Sequence, residues 1–390
     1  MTVAERYLEL ALRISRHSDE LVEAYHGPAE TQARVTAEEP LGPQRLRDDA
    51  EALLSDLAGA DLEPQRRRWL EAQTLALHTV TRRLAGEELP YVEEVERLFG
   101  ITPRWYDEAD YERGQRLLDD ALPGSGDVRE RLKTWLDTTA VPKDALLPAI
   151  RDIAAEARAR TRELFGLPDG EEIELELVSD KPWGGFNLWL GGVRSRISVN
   201  TDLPFPAAGL AHFIAHEGYP GHHTECAWKD EVLVRERGQF EATLMLSRSP
   251  AAVVAEGIAE VGPDVVFGSD EQEVIARALE PLGVAHDAAL AARVKEGRDL
   301  LGTVGSNLEL LRLDRGKSRD EAREYAHRWS PQPEERIEKT LDWIENPGLL
   351  GYIHCYPEGR RLAREFVRGD AARFKQLLVG QLLPEDLAKS

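Results

Sequence analysis

The sequence predicts a mainly α-helical protein with one small antiparallel sheet, and three observations carry that expectation. Helix-period apolar segments fill most of the 390 residues, each opened by a capping residue or a proline and closed near a glycine. One stretch, Glu172 to Val178, alternates charged and apolar residues, the period of a half-buried strand. Two short runs, Phe186 to Leu190 and Arg194 to Asn200, flank Gly191 and Gly192 and read as a hairpin.

Thr2 and Glu5 form a capping box ahead of Tyr7, Leu8, Leu10, Ala11, Leu12 and Ile14, and the helix is expected to stop at His26-Gly27-Pro28. Helices are expected at about 43–58, 64–85, 90–99, 108–121, 128–138 and 143–165. They make an N-terminal helical lobe of residues 1–165. The sheet opens a second lobe, residues 166–390, and the two lobes are expected to form one intertwined unit. In the second lobe Pro206 starts a helix through Ala215, and Ala227–Arg237 and Gln239–Leu246 read as two more. Ser249 and Pro250 cap an almost wholly apolar helix, and Ser269 caps another to about Leu282. The segment from about 285 to 314 is helical in period but carries Gly297, Gly302 and Gly305, so kinks or close helix contacts are expected there. Ser318 and Pro333 open the last two helices before residue 346.

Acidic residues outnumber basic ones 71 to 49, a formal charge of -22 that repels nucleic acid and anionic membrane. It suits neutral or cationic substrates. Two cysteines, Cys226 and Cys355, are too few for a disulfide framework. The opening residues show no basic-then-apolar signal region, and no apolar run is long enough to span a membrane. A cytoplasmic location is expected.

The chemistry concentrates in His216-Glu217-Gly218-Tyr219-Pro220-Gly221-His222-His223, which holds three of the ten histidines. A His-Glu pair on a helix is the first half of a zinc-protease signature, whose second histidine falls at the fourth position. Pro220 stands there. Pro220 cannot donate to a helix carbonyl and Gly221 permits unusual dihedrals, so the pair is expected to bulge the helix and swing His222 back beside His216. His223 is the reserve ligand or an outer donor. His212, one turn before His216, offers a competing pair. On the apolar helix after Pro250, Glu256 and Glu260 share one face. Buried carboxylates are costly unless paired or metal-bound. Glu256 is therefore expected to complete a zinc site, with Glu260 holding a ligand histidine from outside.

The motif His216 to His223, followed by Glu256-Gly257-Ile258-Ala259, resembles the bacterial domain-of-unknown-function family 885. The fold of that family is similar to the Taq-type thermostable zinc carboxypeptidases. Tyr7 to Arg13, Val22 to Pro28 and Leu122 to Gly126 share the likeness. It implies a large multi-helix, zinc-dependent, peptidase-like scaffold and marks His216, Glu217, His222 and Glu256. Ile258 stands where the family carries tryptophan. The segment Asn346 to Arg361 also resembles a family stretch, with Tyr356 and Gly359 in matching places.

These residues suggest a zinc peptidase acting on a peptide or small amide, carboxypeptidase-like on short peptides. Glu217 is the expected general base. Tyr356, or else Tyr352, is the expected oxyanion donor. Arg360 or Arg361 could grip a substrate carboxylate. The hairpin ending at Asn200 could pair with an extended substrate. A zinc amidase or deacylase would use the same centre. Two further readings compete: a di-iron oxidase built on Glu23-x-x-His26 and Glu324-x-x-His327, and a helical binding module without catalysis.

Overall fold

The computed structural model describes residues 1–181 and 183–389. Helices carry the chain, and the described residues add five short strands in two sheets. The predicted helices of the N-terminal part lie within one residue of Pro43–Ala58, Pro64–Leu84, Tyr91–Phe99, Glu108–Ala121, Val128–Thr138 and Lys143–Phe165. Their starts are legible because a Pro, Glu or Asp stands at the cap or the first helical position of each.

Three expectations are corrected: the end of the first helix, the expected helix Gln239–Leu246, and the direction of one strand in the main sheet. The first helix keeps its Thr2–Glu5 capping box but spans only Val3–Ser15. Beyond it Val22–Tyr25 (β1) pairs antiparallel with Leu244–Leu246 (β5), inside the expected helix Gln239–Leu246. Strands this short leave no readable period, and pairing across more than two hundred residues overrides local propensity. The segment from 285 to 314 shows the interruption and close contact expected of its glycines: a Cβ at Gly297 would lie 3.0 Å from the Gly114 carbonyl oxygen. It runs as Ala288–Leu301, then Val304–Glu309, with the break at Gly302.

The third correction concerns the main sheet, which is mixed rather than antiparallel. Its order places Arg194–Asn200 (β4) between Glu172–Val178 (β2) and Gly185–Trp189 (β3). β3 and β4 form the expected hairpin, whereas β2 runs parallel to β4. Side chains directly opposite in that parallel register explain the choice. Glu174 meets Arg196 at 2.9 Å, and Ser198 donates to Glu176 at 2.7 Å. β3 is left as an edge strand.

One hydrophobic cluster joins Tyr7, Leu77 and Phe99 to Val253, Leu362 and Phe374, so the core crosses residue 165 and ties both halves together. A second cluster packs Ile153 and Ile214 beneath the main sheet, and a third gathers Tyr111, Leu301 and Trp329. The helices Pro250–Val266 and Cys355–Val367 cross with almost no space between them. A Cβ at Gly257 would lie 2.5 Å from the Gly359 carbonyl oxygen, and one at Gly359 would lie 2.5 Å from that of Val253. This crossing fixes Glu256 relative to Tyr356. Gly257→Ala should therefore push the helices apart and cost about 1–3 kcal/mol, read as a lower thermal midpoint. An unchanged midpoint would show that the crossing yields freely.

Candidate metal centre

The motif does not form one bulged helix. Leu210–Glu217 ends, the chain folds back over Gly218 to Gly221, and a second helix, His222–Lys229, begins. The turn is held by its own backbone. Gly218 and Gly221 donate to the carbonyls of Ile214 and Ala215, each at 2.9 Å. The Thr224 hydroxyl donates to the Gly218 carbonyl at 3.0 Å. A Cβ on Gly221 would sit 1.8 Å from the His216 carbonyl oxygen, so only glycine allows this approach. The expected outcome, His222 beside His216, is reached by a break between two helices.

The two imidazole rings stand nearly perpendicular, with centroids 4.8 Å apart. Glu256 Oε2 lies 3.6 Å from His216 Nε2 and 3.9 Å from His222 Nε2. These spacings exceed a hydrogen bond. They approach the roughly 3.3 Å between donors that share one tetrahedral ion at about 2.0–2.1 Å. Glu256 Oε2 is buried without a hydrogen-bond partner, as is His216 Nδ1. The donor set of two imidazoles and a carboxylate, with an orphaned oxygen at its centre, fits Zn²⁺. Around it, Tyr352 donates to Glu256 Oε1 at 2.6 Å, and Glu260 Oε1 stands 3.4 Å from His216 Nδ1. His212, His216 and Glu260 form a second group of potential ligands. In that group Glu260 also approaches His212, at 3.8 Å.

Burial governs the charges. It pushes the Glu256 carboxyl up to about 8 and the His222 ring down to about 3. Burial acts downward on His216 too, but Glu260, Glu217 and Glu256 outweigh it and hold the ring at about 9. Burial acts upward on Glu260, but His212 and His216 carry it well below the ordinary carboxylate range. Burial raises Glu217, against the pull of His216 and of the Asn187 backbone N–H. A cation at this centre would satisfy the same buried atoms.

The centre opens on a cavity of about 430 Å³ lined by His216, Glu217, His222, Glu256, Tyr352 and Tyr356. Edge strand β3 forms one wall, and Asn187 Nδ2 donates to the Glu217 carbonyl at 2.6 Å. The Tyr356 hydroxyl makes no hydrogen bond among the described residues, whereas that of Tyr352 is committed to Glu256. A second cavity of about 500 Å³ shares Tyr356 and is lined by His212, Glu260, Arg298 and Arg360.

Other expected site residues lie elsewhere. His223 is fully buried and turned away, with Nδ1 2.9 Å from Ser195 Oγ and Nε2 3.3 Å from Glu171. Its phase along the new helix, one position past His222, points it under the sheet, so it neither replaces a ligand nor reaches the cavity. Asn200 donates to the carbonyls of Lys181 and Trp183, each at 2.9 Å, and secures a loop. Arg361 is held by Glu358 and Glu365, both at 2.9 Å. The paired Glu-x-x-His segments build no metal-capable group among the described residues. His26 bonds the Trp189 carbonyl at 2.9 Å, and His327 meets Glu334 at 2.9 Å. Sequence reasoning missed Asn187, Arg298 and the wall residues Glu23, Trp69 and Trp343. They come from distant segments and share no motif.

No family model and no curated protein matches this chain. Solved structures do. A putative lipoprotein from Colwellia psychrerythraea aligns with TM-score 0.55 at 15% identity, covering 92% of this chain and 71% of its own. A putative lipoprotein of unknown function from Shewanella oneidensis aligns with TM-score 0.51 at 12% identity, covering 89% and 72%. An M32 carboxypeptidase from Deinococcus radiodurans aligns with TM-score 0.41 at 15% identity, covering 96% and 87%. The first two show a shared fold, and their description as lipoproteins lends the cytoplasmic expectation no support. Among the described residues no helix is long and apolar enough to cross a membrane.

Replacing His216, His222 or Glu256 by Ala should each strip most of the divalent metal that elemental analysis finds after the purified protein is loaded with it. His223→Ala should keep the metal but lose about 1–3 kcal/mol of stability, because Ser195 and Glu171 lose a buried partner. Metal loss in that variant alone would reassign the ligand.

Proposed function

We propose that this protein is a zinc-dependent hydrolase of peptide or small amide bonds, carboxypeptidase-like on short peptides. The observation that carries the reading is that His216, His222 and Glu256 converge on one wall of a cavity that also holds Glu217 and the free edge of β3. When bound, Zn²⁺ would supply Lewis-acid polarisation and lower the pKa of water toward about 7. Glu217, raised by burial, accepts a proton from the attacking water and returns it to the departing nitrogen. Tyr356, whose hydroxyl is uncommitted, donates to the carbonyl oxygen as negative charge develops there. Tyr352 orients the ligand carboxylate. An extended substrate pairs with the main chain of β3.

The leaving side faces the second cavity, where Arg360 lies 3.7 Å from both Asp264 and Asp299. Arg298 lines the same cavity and makes no ion pair or hydrogen bond among the described residues. Such a guanidinium suits a bidentate carboxylate, so the assignment moves from Arg361 to Arg360 and Arg298. An amidase or deacylase would share the centre without needing these arginines. The cytoplasmic location belongs to this same proposal.

Two measurements test it. Glu217→Gln should keep zinc and fold while lowering kcat by roughly 10²–10⁴-fold, since glutamine accepts no proton. Full turnover by that variant would remove Glu217 from the chemistry. A short peptide and its C-terminal amide, compared by mass spectrometry, should differ clearly in cleavage rate. Equal cutting of both would favour the amidase reading.

A further inference from the structure

The cavity that holds the centre is rich in acid and aromatic surface, and one of its carboxylates has no assigned work. Glu217, Glu225, Glu256 and Glu23 all line it. Glu256 belongs to the centre and Glu217 to the proposed proton transfer. Glu225 is neutralised by Lys229 at 2.5 Å, and Lys229 is the one lysine or arginine lining this cavity among the described residues. Glu23 alone is left. It sits in β1, makes no ion pair or hydrogen bond among the described residues, and is accessible although protein surrounds it, as befits a group on a cavity wall. Tyr352, Cys226 and Cys355 each feel its charge, and none of them is cationic. Trp69, Phe186, Trp189 and Trp343 line the same space.

An unpaired carboxylate within aromatic walls is the chemistry that recognises an organic cation. The carboxylate supplies a charge-assisted hydrogen bond and the ring faces supply cation–π attraction. The cations of the second cavity lie beyond Tyr356, so they do not compensate Glu23.

We infer that Glu23 forms a subsite for a substrate ammonium group, on the opposite side of the centre from Arg298 and Arg360. The assignment of this ammonium to the acyl side of a cleaved amide rests on the hydrolase reading, whereas the cation subsite itself does not. The ammonium comes either from a free peptide N-terminus or from a lysine side chain. A short peptide with both ends charged would then span the centre, held at one end by Glu23 and at the other by the arginines.

The test separates the two readings by starting with binding. Benzylammonium and benzyl alcohol are titrated into the full-length zinc-loaded protein, with tryptophan fluorescence as the signal. Benzylammonium should bind about tenfold tighter, the scale of one charge-assisted hydrogen bond. Glu23→Gln should abolish that preference while Glu23→Asp retains part of it, with thermal melts confirming that both variants fold. Equal binding of the two probes by the wild-type chain, or an unchanged preference in Glu23→Gln, overturns the subsite whether or not hydrolysis is found. If peptides are cut, N-acetylation should raise KM where the N-terminus is read. Lysine to norleucine should raise it where the side chain is read. Indifference to both changes also overturns the proposal.

Discussion

Everything at the centre depends on one backbone contact, the approach of Gly221 to the carbonyl of His216. In a continuous helix His222 would be rotated off the face of His216. Breaking the helix at Gly218 and restarting it at His222 sets the two rings at right angles around a common point. That geometry needs a residue without a Cβ directly under the carbonyl. The same restart sends His223 beneath the sheet, where Ser195 and Glu171 engage both ring nitrogens. Adjacent histidines thus take unrelated environments.

The second constraint is charge. Glu217, Glu256 and Glu260 crowd around His216 in a poorly hydrated space; burial raises all three carboxyls, and only at Glu260 do His212 and His216 outweigh it. A core that holds so many carboxylates is unfavourable without counter-charge. His212 and His216 provide some of it to Glu260, Tyr352 provides a donor to Glu256, and a divalent ion would provide the rest. The close helix crossing at Gly257 and Gly359 holds the carboxylate helix and the tyrosine helix together as this balance is struck.

Much of this was legible in the sequence because its signals are local. Caps and prolines mark the six helices from Pro43 to Phe165 within a residue, and the Pro220-Gly221 pair announces irregularity where His222 needs it. The carboxylates Glu256 and Glu260 stand out on an apolar helix. What was illegible is set by long-range pairing. β1 and β5 are too brief to show alternation, and each acquires its strand conformation only from the other. The parallel direction of β2 depends on Glu174 and Glu176 finding Arg196 and Ser198. The arginine next to Arg360 proved to be spoken for by Glu358 and Glu365, two acids on its own helix. Only placement in space could distinguish them.

The pairing of β1 with β5 has a further consequence, for the order in which the protein can be made. Glu23 emerges long before the histidines, and Tyr352 and Tyr356 long after them. Each wall of the cavity therefore waits for segments synthesised much later, and contacts so distant along the chain close slowly. The early helices can form as they appear, but the candidate metal pocket needs segments spread from Glu23 to Tyr356. Any ion that this site takes would accordingly be loaded late, and a product cut short before residue 256 would carry the histidine motif without Glu256, Tyr352 and Tyr356.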